Sequence, residues 1–221
     1  MRVPGLGGWS DDPLWGSFYD WTVEHPTVGR ALWAVGIQSD LTLLYAAAAE
    51  ISRQRAGARV LDVPSGGGVA ARALRRGQGV DYVAVDISQR MLDRTARVAA
   101  ELGVADQVTT RLADVEELPF PDESFDLVVS FTGLHCFPDP ARAVVELARV
   151  TRLGGVLSGS AVLNDTGLRY EPMRRAGRLA GLLGPGCTSD QVRRWLTRQG
   201  VADLTLDVSG PLGYFRGVRR A

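Results

Sequence analysis

Short runs of apolar residues alternate, along the middle of this chain, with longer segments in which apolar positions recur every three or four residues. The short runs predict buried strands at residues 59–63, 81–85, 108–112, 125–131 and 156–163. Strands that alternate with helical segments are typical of a parallel sheet covered by helices on both faces. The pattern therefore predicts a doubly wound α/β fold.

The helical segments and the end of the chain complete the expected architecture. Helices are predicted at residues 41–55, 69–76, 89–102, 141–151, 168–183 and 190–199. Ser39 or Asp40 is expected to cap the first helix, and Pro140 opens the fourth. Two late strands, 201–209 and 212–219, are joined by so short a connection that they must be antiparallel neighbours.

The composition indicates a globular protein and argues against one class of partner. Of the 221 residues, 45% are hydrophobic and 23% are charged, which is enough for one substantial domain. The 25 basic and 25 acidic residues give zero net charge, whereas binding to nucleic-acid phosphates requires a basic surface. No lysine is present as a Schiff base or a phosphate ligand. We expect no nucleic-acid partner.

The cysteines, the histidines and the hydropathy indicate the compartment. Cys136 and Cys187 are far apart and fit reduced thiols, and with only His25 and His135 as histidines no metal site is expected. The longest apolar run, residues 41–49, is far below the roughly 18 residues of a membrane span, and no signal peptide is visible. We expect a soluble cytoplasmic protein, monomeric or homodimeric, with no membrane partner.

One stretch, residues 59–73 (RVLDVPSGGGVAARA), organises the predicted sheet. It predicts a strand, then a turn at Gly66, Gly67 and Gly68, then the start of a helix. Because glycine has no Cβ, the backbone of such a turn lies close to a ligand without hindrance. A strand followed by glycines that open a helix is where nucleotide-type cofactors bind in doubly wound sheets. We expect the cofactor site here.

Three acids, Asp62, Asp86 and Asp114, stand at the ends of three of the predicted strands. Ligands of open α/β sheets bind along the edge formed by the carboxyl ends of the strands. Asp86 lies about one βα unit beyond the glycines, where a carboxylate accepts hydrogen bonds from both hydroxyls of a ribose. Each acid alone fits equally well as a cap of the following turn, but three in register favour a binding edge.

Two cofactors compete for this site. Residues 66–71 satisfy the dinucleotide fingerprint G-x-G-x-x-G/A, which is a weak signal by itself. Against NAD, the chain has no lysine for a Tyr-x-x-x-Lys hydride-transfer site, and the second half of a dinucleotide fold is short. Asp62 would also repel a pyrophosphate. An NAD-linked oxidoreductase is thus the less favoured alternative.

Four motifs carry a resemblance to a known family. They are VLDVPSGGG at 60–68, VAVDIS at 83–88, LADVEELPFPDESFDLVVS at 112–130 and HCFPDPARAVVELARVTRLGGVL at 135–157. Together they resemble the class I S-adenosylmethionine-dependent methyltransferases of the small-molecule type, over roughly residues 59–162. The resemblance implies a Rossmann-like fold, whose mostly parallel seven-stranded sheet includes an antiparallel C-terminal strand.

The resemblance also implies S-adenosyl-L-methionine as the cofactor, S-adenosyl-L-homocysteine as its product, and a role for each matching residue. The methionine part would be surrounded by Asp62, Ser65, Gly66 and Gly67, where an acid suits the ammonium and sulfonium charges. Asp86 would bind the ribose. The other implied contacts are Ile87 and Met91 with the adenine, Asp114 and Val115 with the adenine edge, Ser130 and Phe131 on the methyl-transfer side, and Tyr19 as a cover from an N-terminal helix.

The substrate side is less defined. We expect methylation of a small, apolar or aromatic organic acceptor, first at oxygen, with nitrogen or carbon as alternatives. His135 follows the fourth strand and is the candidate general base, although packing or a backbone hydrogen bond explains such a histidine more often. Pro64 stands where the family usually has glycine, and it lacks an N–H. The alternative function is a descendant that binds the cofactor without transferring methyl, as a binding module or a cyclase-like enzyme.

Within a single domain over residues 1–221, four parts are expected. They are an N-terminal helical lid (1–56), a cofactor-binding core (57–163), a variable lid helix (164–187) and a C-terminal helix with a strand pair (188–221). The two lid parts are expected to be least tied to the sheet, so they would select the substrate.

Overall fold

The computed structural model of the chain describes residues 33–34 and 38–221. Seven strands form its sheet: β1 (Arg59–Asp62), β2 (Asp81–Asp86), β3 (Val108–Leu112), β4 (Phe125–Ser130), β5 (Thr151–Val162), β6 (Val201–Ser209) and β7 (Leu212–Arg219). Their order is β3-β2-β1-β4-β5-β7-β6. The first five strands pair in parallel, whereas β7 is antiparallel to both β5 and β6. The predicted doubly wound sheet with antiparallel C-terminal strands is confirmed.

Helices cover both faces of this sheet. They are α1 (Leu41–Ser52), α2 (Gln89–Leu102), α3 (Pro140–Val150), α4 (Glu171–Leu179) and α5 (Ser189–Arg198). The Asp40 carboxylate caps α1 by accepting the Thr42 N–H at 2.8 Å, and Thr188 forms a capping box with Gln191 at the start of α5. Among the described residues, no helix is both long and apolar enough to cross a bilayer.

The sheet separates two hydrophobic layers, because successive strand residues point to opposite faces. In β1, Val60 belongs to the layer that contains Leu44 of α1, while Leu61 belongs to the layer that contains Leu147 of α3 and Leu196 of α5. The central strands are therefore buried on both sides. This burial fixes the carboxyl ends of β1, β2 and β4 as one rigid edge.

The helix predicted at residues 69–76 is wrong, because only a 3₁₀ turn forms there, at Ala70–Ala73. The side chains of Gln78 and Gln107 form hydrogen bonds with the backbone N–H and carbonyl of Arg75. Gln78 Oε1 accepts the Arg75 N–H at 3.0 Å, and Gln107 Nε2 donates to the Arg75 carbonyl at 3.0 Å. Leu74 is extended, with ψ of 147°, which ends the helical path, and these side-chain bonds satisfy the backbone groups that follow it.

Two other elements differ in their bounds. β5 begins at Thr151 and runs through Gly154 and Gly155 instead of starting after them, and a register shift against β4 absorbs the extra residues. The helix predicted at 168–183 consists of a 3₁₀ turn, Leu168–Tyr170, followed by the shorter α4. Gly181, with φ of 71°, follows the end of α4 in a left-handed conformation.

Candidate functional site

A cleft opens at the carboxyl ends of β1, β2 and β4 and at the turn after β3. Its empty space, including the solvent-filled mouth, is about 1080 Å³. The β1–β3 side of the cleft is lined by residues 62–67, 69, 70, 86, 87, 91 and 113–115. The β4 side is lined by Phe131, Thr132, Cys136, Phe137 and Pro138.

The glycine turn after β1 is held in place by its neighbours. The Ser65 N–H donates to the Val85 carbonyl at 2.8 Å, and Thr95 Oγ1 of α2 donates to the Gly66 carbonyl at 2.9 Å. Gly66 and Gly68 both adopt positive φ, at 51° and 88°. A Cβ on Gly68 would lie 3.1 Å from Thr95 Cα, whereas one on Gly66 would meet open space. The turn therefore packs on α2 at Gly68 and leaves Gly66 uncovered at the cleft.

Asp86, at the end of β2, is an acceptor that the fold has already oriented. Its Oδ2 accepts the Gly66 N–H at 3.0 Å, and its Oδ1 accepts the Ser88 N–H at 2.9 Å. Burial raises the pKa of Asp86, and these backbone N–H groups oppose the rise. Both oxygens keep acceptor capacity for a ligand hydroxyl, since an ionised carboxylate offers about four lone-pair sites.

Asp62, at the end of β1, lies deeper than Asp86. The side chain is 1% exposed, and its Oδ2 accepts the Tyr82 hydroxyl at 2.6 Å. Burial raises the pKa of Asp62 to about 7; the Tyr82 hydrogen bond opposes this rise and the charge of Asp86 adds to it. A carboxyl group in this condition is stabilised in its charged form by a cation placed beside it.

The turn after β3 forms the outer wall of the β1–β3 side. Asp114 is exposed, and its Oδ1 accepts the Glu116 N–H at 2.9 Å, so it caps the 3₁₀ turn Val115–Glu117 while lining the cleft. Met91 and Val115 are buried, and Ile87 is 62% exposed. For Asp86 and Asp114, capping and lining the cleft coexist, so the two interpretations of these acids do not exclude each other.

The β4 side contains residues that the sequence did not single out as ligand contacts, apart from Phe131. Thr132, Cys136, Phe137 and Pro138 give it a largely apolar surface without a carboxylate or a guanidinium. Thr132 has φ of 52°, and its N–H donates to Ser160 Oγ at 3.0 Å, which fixes the path of the chain after β4. The available signal was their position, directly after a strand that ends at the ligand-binding edge.

Two predicted site residues, Ser130 and His135, do not line the cleft. Ser130 is fully buried at the end of β4. His135 is also buried, its Nδ1 accepts the Val162 N–H at 3.0 Å, and burial lowers its pKa to about 4. The physical reason is a tight turn, in which the Cys136 N–H donates to the Gly133 carbonyl at 2.7 Å. The imidazole consequently bonds to β5 instead of facing the cleft.

The predicted covers of the cleft have different outcomes. Tyr19 and most of the predicted N-terminal lid lie outside the described residues. No residue of 164–187 lines the cleft. Arg174 of α4 is buried and donates to the Leu163 carbonyl at 3.1 Å and to the Gly167 carbonyl at 3.0 Å, which fastens this part to the end of β5. The division of the chain into four parts stays a prediction.

The cleft fits an adenosyl group with a cationic tail better than a diphosphate. Asp86 offers paired acceptors, Gly66 offers uncovered backbone, and Asp62 offers a carboxyl group that gains from a nearby cation. Ser65 Oγ is buried at the cleft with no hydrogen-bond partner among the described residues, so it is available to a ligand. Within residues 33–34 and 38–221, no arginine lines the cleft and no group of three potential metal ligands is found.

The fold and the cleft define a class: Rossmann-like α/β proteins that bind a nucleoside-containing cofactor at the carboxyl ends of their strands. Comparison with known families narrows this class, since the family described as "Methyltransferase domain" matches residues 61–158. The chain belongs to the class I S-adenosylmethionine-dependent methyltransferases, and the family and the fold imply S-adenosylmethionine as the cofactor. This cofactor differs from the NAD that the alternative function, an NAD-linked oxidoreductase, would require.

The similar proteins differ in sequence identity and in how much of each chain is matched. The 27-O-demethylrifamycin SV methyltransferase of Amycolatopsis mediterranei (strain S699) is 38% identical over 104 residues, which cover 47% of this chain and 38% of that protein. The chain thus spans well under half of its length. An uncharacterized protein of Mycobacterium tuberculosis is 31% identical, and the matched region covers 82% of this chain and 77% of that protein. The solved structure of the [4+2]-cyclase SpnF shares the fold, with a TM-score of 0.65 and 20% identity over 80% of each chain.

Proposed function

We propose that this protein transfers the methyl group of S-adenosylmethionine to a small organic acceptor. The observation that carries the proposal is Asp86, whose buried carboxylate is fixed by the N–H groups of Gly66 and Ser88 beside the glycine turn. An acid in this place accepts hydrogen bonds from the hydroxyls of a ribose. The bound cofactor supplies a methyl group on a sulfonium, which a nucleophile attacks in line.

We assign the parts of the cofactor to the β1–β3 side. Ser65, Gly66 and Gly67 would hold the methionine part, because the Ser65 hydroxyl is unpartnered and the glycines leave backbone uncovered. Asp62 would face the cationic groups, which favour its charged form. The adenine would contact Ile87, Met91, Asp114 and Val115, with the Asp114 carboxylate accepting a hydrogen bond from the exocyclic amine.

The β4 side would hold the acceptor. The surfaces of Phe131, Phe137 and Pro138 favour an apolar or ring-containing molecule. A small-molecule acceptor is supported by the rifamycin relative, whose name specifies 27-O-demethylrifamycin SV. Oxygen is therefore the first candidate for the methylated atom, with nitrogen or carbon as alternatives.

In this proposal, the rate acceleration comes from alignment of the acceptor with the methyl group, and no histidine base takes part. His135 bonds to Val162 of β5, so its imidazole does not reach a molecule in the cleft. An in-line displacement gains a large rate factor from alignment alone. The acceptor that fits best is one whose nucleophilic atom ionises readily or needs no deprotonation, such as a phenol, an amine or an electron-rich carbon.

A cyclase-like enzyme or a binding module in the same cleft is the second candidate function. Two observations favour it: the fold of SpnF matches over 80% of this chain, and Pro64 removes one N–H donor from the wall of the cleft. Both candidates keep the cofactor in the cleft. The two candidates therefore differ in the fate of the methyl group.

Calorimetry combined with a methyl-transfer assay separates these functions. S-adenosylmethionine and S-adenosylhomocysteine are titrated into the protein, and methyl-labelled cofactor is then offered with a panel of phenols, amines and hydroquinones. Binding of both compounds with label found in an acceptor supports the methyltransferase. Binding without label transfer across the panel supports the second candidate, and absence of binding contradicts both.

A further inference from the structure

The connection between β3 and β4 (residues 113–124) crosses the edge of the sheet without an α-helix of its own. Crossovers between parallel strands usually contain one, whereas this connection has only the 3₁₀ turn Val115–Glu117. Its backbone N–H and C=O groups must then find partners elsewhere. The first three residues of the connection, 113–115, line the cleft, so whatever supplies those partners also determines the shape of the site.

Helix α3 supplies the partners through its side chains. Arg149 donates through Nη2 to the Leu118 carbonyl at 2.9 Å and through Nη1 to the Phe120 carbonyl at 2.8 Å. Glu146 Oε2 accepts the buried Leu118 N–H at 2.9 Å. The main chain of Leu118 is thus held at both its N–H and its carbonyl by one helix turn of α3.

Arg149 and Glu146 are also joined to each other in a two-pronged ion pair. Arg149 Nε donates to Glu146 Oε1 at 2.9 Å, and Nη2 donates to Oε2 at 2.8 Å. The Glu146 side chain is 5% exposed and the Arg149 side chain 27%. The guanidinium lowers the pKa of Glu146, so the carboxylate is charged at neutral pH. Paired geometry of this kind fixes orientation as well as adding energy.

The anchor at Leu118 is transmitted to the cleft by the 3₁₀ turn. The Glu117 N–H donates to the Asp114 carbonyl at 3.2 Å, and the Glu116 N–H donates to Asp114 Oδ1 at 2.9 Å. Arg142 of α3 adds a contact, since its Nε donates to the Glu116 carbonyl at 3.0 Å. The position of the exposed Asp114 carboxylate is therefore set by side chains about 30 residues further along the chain.

We propose that Arg149 and Glu146 are positioning residues for adenine recognition, because they hold Asp114 and Val115 at the adenine end of the cleft. This inference rests on the proposed function, which places the adenine there. Neither Arg149 nor Glu146 lines the cleft, so both act through the β3–β4 connection. The two side chains support the β3–β4 connection, which lacks the α-helix that usually supports a crossover.

The test compares two ligands that differ at the adenine edge. S-adenosylhomocysteine carries the exocyclic amine, and S-inosylhomocysteine carries a carbonyl oxygen in its place. Calorimetry with the wild-type protein should show a clear preference for the adenosyl compound. In Arg149→Met, we expect the affinity for S-adenosylhomocysteine to fall about tenfold and the preference over S-inosylhomocysteine to shrink toward one. Amide hydrogen exchange of residues 113–122 should rise in the same variant.

The matched control is Arg174→Met, which removes another arginine that binds backbone carbonyls, but a buried one at the end of β5. It should lower thermal stability while leaving the preference between the two ligands unchanged. Arg142→Met provides a milder test should Arg149→Met fail to fold, because the Arg142 side chain is 50% exposed. It should shift the preference in the same direction by a smaller factor.

Three outcomes would overturn the inference. The first is a folded Arg149→Met protein that keeps the wild-type preference, and the second is an Arg142→Met protein with unaltered preference when Arg149→Met is unfolded. The third is a wild-type protein that binds both ligands equally, since adenine recognition by the connection is then absent. A wild-type protein that binds neither ligand would instead contradict the proposed function, and this result is distinguishable from the other three.

Discussion

The two sides of the cleft are built differently. On the β1–β3 side, carboxylates and backbone N–H groups bond to one another, as Asp86 does with Gly66 and Ser88. On the β4 side, Phe131, Phe137 and Pro138 present apolar surface without a formal charge. Hydrogen bonds fix direction, whereas apolar contact fixes mainly shape. The comparison therefore predicts that the first side tolerates few substitutions, and that the second side accommodates different acceptors.

The largest expected effect concerns Asp62, the deepest acid on the β1–β3 side. Its pKa in the folded protein is about 7, above the ordinary value of 3.8, so the folded state binds an extra proton between these values. Stability contributed by this group therefore falls as the pH rises through that interval, by no more than about 4 kcal/mol at about 1.4 kcal/mol per pKa unit. Asp62→Asn should flatten the dependence, and urea unfolding across the interval measures it.

The comparison with Asp62→Asn is needed because His135 acts in the opposite direction. Burial lowers the pKa of His135 from 6.5 to about 4, so its contribution to stability rises with pH between these values. The wild-type curve contains both slopes, and only the difference between wild type and variant isolates Asp62. Parallel curves for the two proteins would show that Asp62 does not titrate in this range.

The second effect tests the Asp86 carboxylate as the ribose acceptor. Asp86→Ala should weaken S-adenosylhomocysteine binding by about 1–3 kcal/mol, because charge-assisted hydrogen bonds are lost. The matched control is Asp126→Ala, which removes an acid near the opposite end of the sheet, where its Oδ2 accepts the Arg59 N–H at 2.7 Å. Calorimetry should show normal binding by the control, and a dissociation constant unaltered by Asp86→Ala would refute the assignment.

Gly66 and Gly68, in the same turn, are expected to differ in what they contribute. Gly68→Ala should destabilise the fold by about 1–3 kcal/mol, since a Cβ at φ of 88° would press on the α2 backbone. Gly66→Ala has open space for its Cβ at the cleft, so it should destabilise the fold less and weaken cofactor binding more than Gly68→Ala does. Denaturant unfolding and calorimetry on both variants give the two numbers. Equal stability losses would mean that packing on α2 does not distinguish these positions.

The smallest change in activity is expected from replacing His135, which lies behind the β4 side. In His135→Asn, the amide oxygen replaces Nδ1 as the acceptor for the Val162 N–H, so the turn is preserved. Once an acceptor substrate is found, we expect kcat to change by less than about tenfold. A loss of about a hundredfold or more, with the acidic limb of the pH profile removed, would instead identify His135 as a general base.

The sequence predicted the strands and the β1–β3 side because the relevant signals are local there. Asp62 and Gly66 are four residues apart, and Asp86 ends the next strand one βα unit later, so all three could be assigned from motif spacing. Parallel pairing then brought them to one edge. Local signals were not sufficient at residues 69–76, where side chains of Gln78, three residues away, and Gln107, 32 residues away, bond to the backbone of Arg75.

The features that the sequence did not reveal depend on contacts over long separations or on one turn. The orientation of His135 follows from the Gly133–Cys136 turn, and no periodicity indicates which way a side chain points from such a turn. The anchoring of the connection by Arg149 links positions about 30 residues apart, and a charged helix residue is ordinarily expected to face solvent. Tertiary structure was needed for both.

A crystal structure of the protein with S-adenosylhomocysteine would show whether the cofactor binds along the carboxyl ends of β1, β2 and β4. We expect the ribose hydroxyls to donate to the Asp86 carboxylate, with the adenine between Met91 and Val115 and the sulfur nearer to the β4 side. The ligand bound outside the cleft, or a ribose out of hydrogen-bonding reach of Asp86, would contradict this expectation.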